Sequence, residues 1–167
     1  MLNQYITFRI QDDAYGLEID LIKEIKRIST FTLVPDADDY ICGLINLRGK
    51  IVTLINIYNL LGYPGKESGD RKKGWDIILK PLDEILEIEA MEYSFNIRSQ
   101  DIIGFSVDTL GEIVSQAKTD IDPVPENIKT TIAELAKGVI TKEDAIIVIL
   151  DLDRIYKRLM GSNRQYQ

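Results

Sequence analysis

One stretch of this chain occurs twice, and that repetition limits what it can fold into more than any other feature. Gly43 to Ile57 aligns without a gap with Gly138 to Leu152, so that Gly43 faces Gly138, Ile45 faces Ile140, Val52 faces Ile147, Leu54 faces Ile149 and Asn56 faces Asp151. Further blocks agree in the same order. Gln4 to Ile10 answers Trp75 to Lys80, Gly16 to Asp20 answers Gly104 to Asp108, Glu24-Ile25 answers Glu112-Ile113, and Val34-Pro35 answers Val124-Pro125. A set of short strands repeated once hides its edges best by closing. The expected architecture is therefore mainly β, with two small barrels of about five strands from an internal duplication, short helices, a C-terminal helix and a groove where the barrels meet.

The local pattern supplies the strands. Tyr5, Thr7 and Arg9 alternate with Ile6, Phe8 and Ile10, the period of a strand with one buried face, and Asp12-Asp13 turns the chain back through Tyr15 to Ile19. From Asp20 to Ile28 both periods fit, and the β-branched content favours a short helix followed by a strand. Two strands flank Arg48-Gly49, a helical turn over 58–61 stops at Gly62, and 65–74 reads as an exposed loop. Trp75 to Lys80 is a strand broken by Pro81. The 82–101 excursion fits either a helical stripe or a strand. Strands are expected again from Ile102 to Val114 and around Lys142-Glu143-Asp144, with some helix between 128 and 137 and a terminal helix over 154–160. The expected division is one domain over 1–161, the first barrel mainly 15–62 and the second mainly 75–152, with strand 4–10 exchanged between them and 162–167 a flexible tail.

Composition removes several function classes. A net charge of −7 argues against nucleic acid as a partner. The chain has no His and a single Cys, Cys42, which excludes an internal disulfide, the usual zinc sets and the common nucleophile and base pairs. No metal, cofactor or catalytic residue is expected, and a reduced, cytoplasmic setting fits. No apolar run approaches the roughly 18 residues that span a bilayer, so membrane insertion is not expected. Asp151 and Asp153 read as a helix cap rather than an acid pair, and Gly65-Lys66-Glu67-Ser68 fails the spacing of a phosphate loop.

The repeat also separates structure from function. Apolar positions recur, whereas Arg48-Gly49 corresponds to Glu143-Asp144, so the first copy alone carries a basic turn. Arg48 then either serves a partner or pairs with a nearby carboxylate to hold its turn.

Taken together, Gln4 to Ile10, Tyr15 to Ile19, Ile22-Lys23-Glu24-Ile25, Val34-Pro35, Gly43 to Gly49 and Ile103 to Asp108 resemble the CheW-like coupling proteins of bacterial chemotaxis. The resemblance covers nearly the whole chain apart from 82–101, and Asn46-Leu47-Arg48-Gly49 is its most specific piece. It implies two intertwined SH3-like barrels and a non-catalytic adaptor, which joins the cytoplasmic helical hairpin of a chemoreceptor to the regulatory domain of a CheA-type histidine kinase in membrane-associated arrays. It also implies coupling roles for Ile22, Glu24, Gly43, Asn46, Arg48 and Gly49, and kinase docking near Val34 and Pro35. Thr53, where the family often has Pro, and Asn56-Ile57-Tyr58, in place of an Asp-Leu-Arg-like run, depart from its pattern. The alternatives are a CheW-like scaffold for a pathway other than chemotaxis, or a β-barrel nucleic-acid-binding module that salt-sensitive binding to single strands would reveal.

Overall fold

The computed structural model describes residues 2–64, 73–89 and 102–163. Most of the expected 65–74 loop, residues 90–101 of the excursion and residues 164–167 of the tail lie outside the described residues. Among the described residues, ten strands form two five-stranded sheets. They are β1 (Asn3–Ile10), β2 (Asp13–Glu18), β3 (Ile22–Arg27), β4 (Ile41–Leu47), β5 (Lys50–Ile55), β6 (Trp75–Leu79), β7 (Ile102–Val107), β8 (Thr109–Gln116), β9 (Ala136–Lys142) and β10 (Ala145–Leu150). Short helices interrupt them: α1 (Ile57–Leu61), α2 (Leu82–Glu89), α3 (Thr130–Ala133) and α4 (Leu152–Asn163).

The sheets run in the orders β8-β1-β2-β10-β9 and β3-β6-β7-β5-β4. These orders match strand for strand under the sequence repeat, but the strands do not stay with their own copy. The first two strands of each copy cross over: β1 and β2 join β8, β9 and β10, while β6 and β7 join β3, β4 and β5. The division into 15–62 and 75–152 therefore does not describe the sheets, since β2 leaves the first group, β6 and β7 leave the second, and the exchange involves two strands per copy rather than strand 4–10 alone. The reason is local. Only a 3-10 turn, Ile19–Leu21, separates β2 from β3, and only Asp108 separates β7 from β8. At β7 to β8 a single residue is too short for a two-residue hairpin, and at β2 to β3 the 3-10 turn redirects the chain, so both connections cross to the other sheet instead of folding back.

Three apolar clusters result among the described residues. One barrel interior gathers Ile45, Val52 and Leu54 with Ile78, and the other gathers Ile140, Ile147 and Ile149 with Tyr5. Those first three residues and their counterparts are the repeated positions, which now stand as barrel core. The largest cluster lies between the sheets and includes Phe8, Tyr15, Ile77, Phe105 and Leu150. The excursion enters this core as a helix. Leu82 and Ile85, one turn apart on α2, are buried, and Asp83 and Glu84 suit the positive end of the helix dipole.

Helix starts also recur. Asn56 Oδ1 accepts from the Asn59 amide at 3.2 Å, and Asp151 Oδ1 accepts from the Asp153 amide at 3.0 Å, so the paired residues cap α1 and α4. Gly62 ends α1 at φ 85°, where a side chain would strain the left-handed backbone. The terminal helix is longer than expected and reaches Asn163, into the segment read as tail.

A buried carboxylate ties β7 and the segment just after β3 to β6. Asp76, fully buried on β6, accepts from Ser106 Oγ at 2.6 Å and from the Ser29 amide at 3.1 Å. Replacing it with Ala leaves those donors without this acceptor, and the expected loss is about 2 to 3 kcal/mol of unfolding free energy in urea titrations. A loss below about 0.5 kcal/mol would show that this bond network does not hold the sheet.

Candidate functional site

The first-copy hairpin builds the site. Its turn residues Arg48 and Gly49 have φ of 51° and 85°, the paired left-handed geometry of a type I′ turn that suits the right-handed twist of β4 and β5. Asn46 Oδ1 accepts from the Gly49 amide at 3.0 Å and fastens the turn from inside. Arg48 Nη2 then reaches Glu24 Oε1 on β3 at 2.8 Å. The side chain of Arg48 remains 71 % exposed while that of Glu24 is 24 % exposed, so the carboxylate is the anchored partner and the guanidinium keeps a face toward solvent.

This contact has a structural meaning as well. β3 and β4 are the opposite edges of their sheet, so an ion pair from β3 to the β4-β5 turn requires the sheet to curl round on itself. The other sheet does the same. Lys142 Nζ, at the end of edge strand β9, meets Glu112 Oε1 on edge strand β8 at 2.8 Å. Glu112 is the repeat counterpart of Glu24, and its partner comes from the residue just before Glu143. Both hairpins also share backbone geometry, since Glu143 and Asp144 have φ of 50° and 65°. The asymmetry read from Arg48 and Glu143 is thus partial: the closing ion pair recurs, and what the first copy alone has is a cation on the turn itself. Sequence comparison missed Lys142 because the two cations do not align.

The other expected residues fall into place around this turn. Gly43 is buried on β4, where an added Cβ would stand 2.4 Å from Phe31 Cδ2 and 2.5 Å from the Thr32 carbonyl oxygen. That close approach lets Thr32 and Leu44 exchange backbone hydrogen bonds, both 2.8 Å. The strap so held continues into Leu33, Val34 and Pro35, which are exposed. Gly138 does the same for Asp122, with a Cβ site 2.4 Å from the Asp122 carbonyl oxygen. Ile22 stands apart from the turn. It begins β3 before a register shift, is half-buried, and packs against the core between the sheets. Near the turn, Ile51 leaves its apolar side chain 57 % exposed, and its counterpart Ile146 is also exposed. The repeat pairs these two as recurring apolar positions, which reads as barrel core, but the structure puts both on the outer face of their strands.

The arrangement defines a class first. The molecule is a pair of small barrels with intact cores that presents an exposed Arg on a fastened turn and an exposed apolar strap, and among the described residues no cluster of His, Cys, Asp or Glu suits a metal ion. The CheW-like domain pattern matches residues 4–160, and the chain belongs to that family. The chain is 30% identical over 155 residues to the chemotaxis protein CheW of Helicobacter pylori, covering 93% of this chain and 82% of that one. It is 26% identical over 155 residues to the chemotaxis protein CheW of Treponema pallidum, covering 92% and 81%. The crystal structure of the scaffolding protein TtCheW from Thermoanaerobacter tengcongensis superposes with a TM-score of 0.69 at 27% identity, covering 91% of this chain and 86% of that one.

Proposed function

We propose that this chain is a non-catalytic chemotaxis adaptor, which couples the cytoplasmic tip of a chemoreceptor to the regulatory domain of a CheA-type histidine kinase. The family match across residues 4–160 carries this reading. In it, Arg48 and Glu24, with Asn46 and Gly49 fixing the turn, form the coupling surface. Gly43 holds the strap that presents Val34 and Pro35 to the kinase, and Ile22 supports receptor binding from β3. The protein acts in the cytoplasm at receptor arrays. Among the described residues, no helix is long and apolar enough to cross a membrane.

The reading is tested by reconstitution. Receptor-containing membranes and the kinase are combined with and without the chain, and receptor control of kinase activity is expected only when it is present. Ile22→Asp places a charge against the core between the sheets, and co-sedimentation with those membranes is expected to fall several-fold. Kinase control that is the same without the chain would overturn the proposal.

A further inference from the structure

A cavity of about 270 Å³ opens between the end of α1, the β1-β2 turn, α3 and β10. Its apolar lining includes Leu61, Ile132 and Val148, all buried. One polar wall carries a chain of hydrogen bonds: the Tyr15 and Tyr63 hydroxyls are 2.5 Å apart, and the Tyr63 hydroxyl donates to Asp13 Oδ2 at 2.5 Å. Because Tyr63 gives its only proton to Asp13, the proton shared between the tyrosines is that of Tyr15. Both phenols keep their protons at neutral pH. Burial pushes Tyr15 up to about 12, and burial together with the hydrogen bond to Asp13 pushes Tyr63 up further. The wall therefore has both hydroxyl protons committed and offers acceptors, ending on a carboxylate held in position by a buried tyrosine. Asn127 and Lys129 also line the cavity, and both are exposed, as is Asp13.

We propose that this cavity binds a small primary amine, with its ammonium on Asp13 and its apolar body over Leu61, Ile132 and Val148. An ammonium is a pure donor and matches a wall of acceptors. The space exceeds the roughly 150 Å³ that holds a benzene ring in an apolar cavity, so a phenyl-sized body fits. The site is separate from the Arg48 turn and does not depend on the adaptor reading.

The test is an NMR titration of the full chain at neutral pH with 2-phenylethylamine, with phenylacetate as the probe of opposite charge and similar body. Saturable shifts at the amides of Ala14, Gly62 and Ile146 are expected with the amine and not with phenylacetate. Asp13→Asn is expected to weaken amine binding at least tenfold, and Lys129→Met to leave it unchanged or tighter. The proposal fails if the amine gives no saturable shifts up to about 10 mM. It also fails if phenylacetate binds equally well, or if folded Asp13→Asn binds like the wild type. Should Asp13→Asn not fold, the comparison of the two probes on the wild-type chain decides the matter.

Discussion

Arg48→Asn is expected to melt like the wild type and to reduce receptor control of the kinase tenfold or more. The stability half of this follows from geometry. Arg48 sits at φ 51° before Gly49 at φ 85°, and Asn-Gly is a favoured pair for that turn. The lost contact with Glu24 involves an Arg side chain that is 71 % exposed, and such screened pairs contribute about 0 to 1 kcal/mol. The two effects oppose each other, so the net change stays within about 1 kcal/mol. The functional half follows from the proposed coupling surface, which loses its projecting guanidinium. A control separates closing the barrel from meeting a partner. Lys142→Gln removes the matching ion pair in the other barrel and is expected to leave kinase control intact. A folded Arg48→Asn protein that still supports full control, or a Lys142→Gln protein that loses it equally, would show that the turn is not the special element.

The second large effect is expected at Gly43. A methyl group there meets a backbone oxygen at 2.5 Å and a ring carbon at 2.4 Å. The ring can rotate, but the carbonyl cannot, so the strap must move away from β4. Gly43→Ala is expected to cost about 1 to 3 kcal/mol, in the range of overpacked cores. Gly138→Ala faces the same obstacle at the Asp122 carbonyl and is expected to cost a similar amount. The two variants diverge in binding. Gly43→Ala displaces the strap bearing Val34 and Pro35, so affinity for the isolated kinase regulatory domain should fall several-fold, whereas Gly138→Ala should bind as the wild type does. Urea titrations and a binding assay on the same preparations measure both halves. Equal binding by the two variants would remove the strap from the kinase interface.

The rest of the chain shows why some features were readable and others were not. The excursion at 82–101 fitted two periods because its apolar residues satisfy both. The helical one prevails over Leu82–Glu89 because Leu82 and Ile85 then point together into the core between the sheets. A short helix followed by a strand was readable within Asp20 to Ile28, but the structure starts the helical turn at Ile19, which alternation alone had placed at the end of the preceding strand. Tyr63 gave no signal of its own. Its bond to Asp13 spans 50 positions, and nothing in the local pattern links them.

The sequence by itself determined the strands, the barrel cores and the helix caps. Ile45 and Ile140, Val52 and Ile147, Leu54 and Ile149, and Asn56 and Asp151 are paired in the repeat, and each does the same work in both halves. These properties depend on alternation along a strand or on the first turn of a helix, so neighbouring residues suffice to encode them. Only the tertiary structure decided which strands share a sheet. β2 lies parallel to β10 and β5 parallel to β7, pairings between segments distant in the chain, selected by how the two sheets bury their faces together. It also decided what Arg48 touches. Glu24 lies 24 residues earlier, and the two meet because the sheet closes. The same closure brings Lys142 to Glu112, a correspondence that aligning the two copies could not reveal, because Lys142 stands one position before the residue that aligns with Arg48.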